Sequence, residues 1–330
     1  MKPSTPADST VSNGRQSPTV SVVIPALNEE HNLPHVFAAL PDGIDEVILV
    51  DGGSVDRTVA VARELRPDVV LVHQTRTGKG NALACGFAAC TGDIIVMIDA
   101  DGSTDPREIP LFIDELVAGA DFVKGTRFAK GGHSHDITPL RKVGNDGLNL
   151  VVNVLFGTRF TDLCYGYNAF WRRVVPTLDL PATYLPRPVD GSKLWGDGFE
   201  IETMINIRAA VDGLTVGEVA SIEHARIHGE TNLNTFRDGF RVLRTIFSEY
   251  GRMRRGRRQP ARGADAIVHQ RPVAVAGGGS IGLRSLVNPA SAPAVAAHPA
   301  DIRPHVNHLN RAVRHADESA RRPATAALDD

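Results

Sequence analysis

The sequence is short of several things, and each shortage closes off a class of function. Cysteine occurs three times in 330 residues, at Cys85, Cys90 and Cys164. That is too few for a disulfide framework, so reduced thiols and a cytoplasmic setting are expected. Aromatic residues make up only 5% of the chain, which leaves little surface for stacking on bases. The formal net charge is −2, so no overall basic field draws in a nucleic acid. No apolar run approaches the roughly 18 residues of a membrane span. Residues 1–18, rich in Ser, Thr and Pro, lack the apolar centre of a signal peptide and read as disordered. Two nucleotide fingerprints are also missing. No Gly-x-Gly-x-x-Gly follows the first apolar run, and Gly78-Lys79 has neither the earlier Gly nor the following Ser or Thr of a P-loop.

What is present, at 42% hydrophobic and 22% charged, suits a globular protein. β-Branched runs at 20–25, 46–50, 69–73 and 94–98 read as strands. They alternate with helical segments at 28–40, up to about Leu65, and at 82–89. Asn28 or Asn32 would cap the first helix. The alternation predicts a doubly wound, mostly parallel sheet with helices on both faces. Further on, the sequence predicts a helix over 108–118 and a strand over 121–124. A Gly- and His-rich mobile loop follows over 129–138. Beyond it come helices over 140–156 and from Trp195 to Ala210, and a strand over 214–219. His133, His135 and Asp136 in the loop read as solvated residues. After Gly251 the composition changes to an arginine cluster and then an Ala- and Pro-rich stretch. The folded unit is therefore expected to be a single domain over 19–251, with 252–330 a disordered tail.

The stretch that organises the chain is Ile-Ile-Val-Met-Ile-Asp-Ala-Asp-Gly-Ser-Thr-Asp-Pro, residues 94–106. A buried strand ends abruptly in carboxylates. In open α/β sheets, ligands bind just beyond the carboxyl ends of the strands. Asp99 and Asp101, two apart at that edge, suit one hard divalent cation bridging to a diphosphate. Asp51 at the end of the second strand would accept hydrogen bonds from a base or ribose. Lys79 and Arg127 would stabilise negative charge.

Ser-Val-Val-Ile-Pro-Ala-Leu-Asn-Glu-Glu, Val-Asp-Gly-Gly-Ser-Val-Asp-Arg-Thr, Gly-Lys-Gly-Asn-Ala-Leu and Asp-Ala-Asp-Gly-Ser-Thr-Asp-Pro, in this order, resemble the signature of the family 2 glycosyltransferases. The later Gly-Thr-Arg-Phe, Asp-Leu-Cys-Tyr-Gly-Tyr-Asn-Ala-Phe and Arg-Ile-His-Gly-Glu-Thr-Asn-Leu resemble the polyprenyl-phosphate (dolichol-phosphate) sugar synthase branch. The resemblance spans about residues 20–250. It implies a GT-A fold, a Rossmann-like α/β domain. The implied reaction is inverting transfer, dependent on Mg²⁺ or Mn²⁺, from a nucleoside diphosphate sugar such as GDP-mannose or UDP-glucose to a polyprenyl phosphate.

By motif position, Pro25, Ala26, Leu27, Glu29 and Asp51 would hold the nucleoside, with Ala100 lining it and Lys79 nearby. Asp99 and Asp101 would serve the metal and diphosphate. Ser103 stands where close synthases have a metal-binding Gln, and His228 is a second expected metal contact. Arg127, Arg141 and Arg226 match arginines that handle donor diphosphate and acceptor phosphate. Asn232 replaces a Lys of the acceptor motif. For a hydroxyl acceptor a carboxylate must take the proton, and Asp197 and Glu200 are the candidates. The alternatives are thus a soluble transferase with a hydroxyl acceptor and a non-catalytic nucleotide-sugar-binding protein.

Residues 235–250 form an amphipathic pattern. Phe236, Phe240, Leu243, Phe247 and Tyr250 make one stripe, with Arg237, Arg241 and Arg244 interleaved. Either this stripe packs on the domain, or it lies peripherally in the inner membrane interface.

Overall fold

The computed structural model describes residues 17–229 and 235–258. They belong to one compact unit, residues 1–266; a second unit, 267–330, lies wholly outside the described residues. The first half runs β1 (Val20–Ala26), α1 (Leu33–Ala38), β2 (Glu46–Asp51), α2 (Thr58–Leu65), β3 (Val70–His73), α3 (Lys79–Ala89) and β4 (Ile94–Met97). It is the expected alternation. Then come α4 (Ile109–Val117), β5 (Phe122–Thr126), β6 (His133–Ser134), α5 (Pro139–Phe156), β7 (Asn168–Trp171), α6 (Glu200–Val211), β8 (Val216–Ala220), β9 (Ile222–Glu223) and α7 (Thr235–Arg258). No described helix is long and apolar enough to cross a membrane.

The main sheet has the order β3-β2-β1-β4-β7-β5-β8. All neighbours are parallel except β7, which runs antiparallel between β4 and β5. Both faces of the central strands are covered, and β2 and β4 read accordingly as nearly continuous apolar runs. Val22, Ile24, Ile94 and Val96 point to the side of α1 and α4. Val23, Ile95 and Met97 point to the side of α3 and α6, among Leu83, Phe87, Met204 and Ile205. The order reverses between β1 and β4, so the chain leaves these two strands in opposite directions and opens a crevice at their carboxyl ends.

Four sequence expectations are corrected. The first helix starts at Leu33, not Asn28. Asn28 has φ +57°, and its side chain accepts the Val55 amide at 2.9 Å, so it shapes a turn. Asn32 holds the N-cap position without a side-chain cap bond. The 129–138 loop is anchored, because His133 and Ser134 form β6 beside β9. Finally, α7 does not stop near Gly251 but carries the arginine cluster on to Arg258. The rest of the expected tail, 259–330, and residues 1–16 and 230–234, including Asn232, lie outside the described residues.

The apolar stripe expected on α7 is split: Tyr250 packs on Phe156 of α5, while Phe240 and Phe247 turn outward. Ile246 is fully buried beside Val152, Phe160 and Ile207, with Val242 packed against them. Thr245 and Glu249 are buried too, so this is the inward face. Phe240 and Phe247 are 70% and 54% exposed.

Candidate active site at the strand ends

Asp99 and Asp101 follow β4 at the edge where the order reverses. Lys79, the first residue of α3, reaches Asp99 at 2.5 Å and also pairs with Glu202 of α6. Burial pushes the Asp99 carboxyl up to about 6, helped by its carboxylate neighbours Asp101 and Glu202 and opposed by Lys79. On Lys79 burial acts downward, but Asp99 and Glu202 outweigh it and hold the ammonium protonated. Asp101 pairs with Arg226 at 3.2 Å, and the same guanidinium pairs with Glu29 and donates to the His228 carbonyl at 2.7 Å. Gly102, at φ +78°, turns the loop tightly; a Cβ there would meet the Ile227 side chain at 2.5 Å.

Four carboxylates, Glu29, Asp99, Asp101 and Glu202, thus face two cations. An excess of negative charge on hard oxygen donors fits a hard divalent ion. Among the described residues no three His, Cys, Asp or Glu side chains form a metal cage. Two carboxylates completed by phosphate oxygens and water is a usual way to hold Mg²⁺.

Asp51, at the end of β2, is 4% exposed. Its carboxylate accepts the amides of Gly53 and Ser54, both at 3.1 Å, so it orders its own loop rather than capping α2. Burial alone would raise its pKa, but the bonds from Ser54, Gly53 and His73 hold it below the usual carboxylate range.

The Gly-Lys-Gly motif has a packing reason. A Cβ on Gly78 would lie 2.1 Å from the Asp197 carbonyl, and one on Gly80 would lie 1.9 Å from the Gly196 carbonyl. Only glycine lets the start of α3 come this close. The Asp197 carbonyl then accepts the Gly80 and Asn81 amides at 2.9 and 3.2 Å, satisfying exposed helix donors. The two glycines thus seat Lys79 against the segment that supplies Glu202.

With this edge assembled, comparison with known proteins decides the family. Residues 21–178 match the model described as Glycosyl transferase family 2. The glycosyltransferase AglJ of Haloferax volcanii is 31% identical over 67% of this chain and 68% of its own. The polyprenol monophosphomannose synthase of Mycolicibacterium smegmatis is 33% identical over 73% and 89%. The chain belongs to glycosyl transferase family 2. Among solved structures, glucosyl-3-phosphoglycerate synthase of Mycobacterium tuberculosis, in complex with Mn²⁺, UDP and glucosyl-3-phosphoglycerate, superposes with a TM-score of 0.54. It is 25% identical over 71% of this chain and 80% of that one. The fold is thus that of the GT-A glycosyltransferases.

In this family 2 chain, several expected site residues stand elsewhere. Asp197 is buried, and both its oxygens are gripped by the Arg76 guanidinium at 2.7 and 2.8 Å. Glu200 accepts the amides of Gly196 and Gly198 at 2.9 and 3.1 Å, tying down the turn before α6. Asp197 is therefore not placed as a general base, while both amides fall on one oxygen of Glu200. Arg127 uses all three guanidinium nitrogens on Asp162 and Glu223, so it ties β5 to β9 rather than standing open to a diphosphate. Arg141, in the first turn of α5, contacts Asp136 at 3.3 Å. Ala100 is buried in the core rather than lining a nucleotide. The His228 ring turns to the start of α1, 5.8 Å from the rings of His31 and His35, and joins no metal-binding group of three among the described residues. Ser103 shapes the loop through its backbone, donating to Asp101 at 2.9 Å and accepting the His224 amide at 2.9 Å. Pro25, Ala26 and Leu27 do end β1 at the crevice, with Leu27 exposed.

Sequence reasoning missed Glu202 and Arg76. Glu202 sits in the run Phe199-Glu200-Ile201-Glu202, where helix periodicity places it two positions from Glu200 and so on another face. Arg76 carried no local signal.

Proposed function

We propose that this chain is an inverting hexosyltransferase that moves a sugar from a nucleoside diphosphate sugar to a polyprenyl phosphate. The observation that carries this reading is the carboxylate edge at β4, where Asp99 and Asp101 face Lys79 and Arg226. A hydroxyl acceptor must give up a proton as it attacks. A phosphate acceptor is already ionised and needs no base. Asp197, with both oxygens held by Arg76, is not available as such a base, which favours the second kind. The name of the mycobacterial relative, a polyprenol monophosphomannose synthase, supports it.

A divalent ion held by Asp99 and Asp101 would neutralise charge on the departing diphosphate. Asp51 and the end of β1 bind the nucleoside. Lys79 and Arg226 keep cationic charge beside the leaving group. The bond from the anomeric carbon to the diphosphate breaks, and its electron pair leaves with the nucleoside diphosphate. A phosphate oxygen of the acceptor attacks the opposite face and forms the new bond. Incubation with GDP-mannose and UDP-glucose, a polyprenyl phosphate in detergent and Mg²⁺ or Mn²⁺ tests this. The expected result is a sugar-bearing lipid in the organic phase with stoichiometric nucleoside diphosphate. Transfer from neither donor to the lipid overturns it.

An acceptor of this kind lies in a membrane, and α7 supplies a means of approach. Its outward Phe247 and the exposed Arg254 and Arg255 suit an anionic interface. Each basic residue there contributes about 1 kcal/mol. Replacing both arginines by Gln is therefore expected to weaken flotation with anionic vesicles by about 30-fold. Binding to neutral vesicles should be weak for both forms. Equal binding of variant and wild type to anionic vesicles would exclude this role.

A further inference from the structure

A cavity of about 420 Å³ lies between the segment before α6 and the first turns of α7. Its lining is mainly cationic and aromatic, with Leu194 and Glu200 beside these. Lys193, Arg237, Arg241 and Arg244 bring four cationic side chains, while Trp195 and Phe240 bring aromatic surface. The one carboxylate in the lining is Glu200, turned to the amides of Gly196 and Gly198. Arg241 pairs with Asp238, and the Arg244 guanidinium stands 5.3 Å from the Trp195 ring. The lining therefore carries a clear excess of positive charge in a concave space.

We infer that this cavity binds the phosphate of a phosphomonoester acceptor, with Arg241 and Arg244 as its principal contacts. A phosphomonoester carries about −1.5 to −2 charge at neutral pH and three acceptor oxygens. Guanidinium groups meet such oxygens in bidentate fashion, and two forks with a lysine are a fitting complement. Trp195 and Phe240 then take the organic group beyond the phosphate. Phe240 is well exposed, which leaves a way out for a long chain.

The cavity adjoins the donor edge through one side chain. The Phe199 ring has the Lys79 ammonium 6.0 Å and the Arg241 guanidinium 5.8 Å from its centroid. Lys79 belongs to the Asp99 cluster and Arg241 to the cavity. A phosphate bound in the cavity is thus one aromatic ring from the leaving-group side. This assignment rests on the proposed transfer to a phosphate acceptor and adds the place where that phosphate is held. It also admits two sources of the same chemistry: a prenyl phosphate and a small soluble phosphomonoester.

Calorimetry on the full chain, titrated with farnesyl phosphate, 3-phosphoglycerate and farnesol, tests the cavity and separates the sources. At least one phosphomonoester should bind, and farnesol should bind far more weakly. Binding of farnesyl phosphate alone marks a lipid acceptor, and binding of 3-phosphoglycerate marks a soluble one. The paired replacement Arg241→Gln with Arg244→Gln should weaken that binding about tenfold or more, with nucleoside diphosphate affinity unchanged. The paired Arg→Lys variant, which preserves charge, should fall between the two. The inference is overturned if no phosphomonoester binds, if farnesol binds as well as farnesyl phosphate, or if the Gln pair leaves the affinities unchanged. Sugar transfer to lipid phosphate with an unaltered KM in the Gln pair would remove the cavity and leave the proposed reaction standing. Phosphate binding without transfer would do the reverse.

Discussion

Asp99→Ala and Asp101→Ala should each lower sugar transfer by roughly three orders of magnitude while leaving the fold intact. Loss of a divalent ion's charge stabilisation removes several kcal/mol from the transition state, and each 1.36 kcal/mol is about tenfold in rate. The fold survives because neither partner cation is orphaned. Without Asp99, Lys79 keeps Glu202; without Asp101, Arg226 keeps Glu29. The Asp99 carboxyl is held up at about 6 against an ordinary 3.8. Between those values the folded protein binds more protons than the unfolded chain, so its ionisation lowers stability as pH rises through that window. Asp99→Ala removes this cost and should melt no lower than wild type at pH 7. Turnover and thermal melts by circular dichroism, measured on both variants, check the pair of claims. Turnover within tenfold of wild type in either variant removes the metal-site assignment.

The second large effect is on stability. Arg76 and Asp197 are each 1% exposed and joined by two short hydrogen bonds. Truncating one partner of a buried pair leaves an uncompensated charge and costs about 3–5 kcal/mol. Asp197→Ala should therefore lower the urea midpoint sharply. A double replacement, Arg76→Met with Asp197→Leu, removes both charges and should recover much of the loss. A general base would behave otherwise: Asp197→Ala would fold normally and lose turnover alone. That second pattern in urea titration and kinetics would restore the base assignment.

These two sites also mark what the sequence makes legible. Asp99 and Asp101 are readable because an apolar run stops at them, and a parallel sheet puts its strand ends on one edge. Asp51 is readable for the same reason. Arg127 and Asp197 were misread because their partners are distant in sequence: Asp197 meets Arg76 across 121 positions, and Arg127 meets Glu223 across 96. A lone charged residue near a motif looks available until its counter-ion is seen. The orientation of α7 was hidden differently. Its phenylalanines repeat at helical spacing, but so do Val242, Ile246 and Glu249, and hydrophobicity alone does not say which of the two rows turns inward. Glu249 is buried because it pairs with Arg208 of α6, which no periodicity could reveal.

The antiparallel strand β7 bears on how the chain is made. During synthesis β4 and β5 leave the ribosome well before the strand that must lie between them. Met97 and Lys124 both pair with Asn168, so each waits for a residue made much later. Until then β4 leaves a bare edge, the kind that recruits foreign strands, and β5, whose partners β7 and β8 both come later, has no place in the sheet. The loop carrying Asp99 and Asp101 follows directly on β4 and so hangs from that edge. The first half therefore cannot complete its sheet as an autonomous early folding unit; β4 is sealed only when β7, from the second half, arrives.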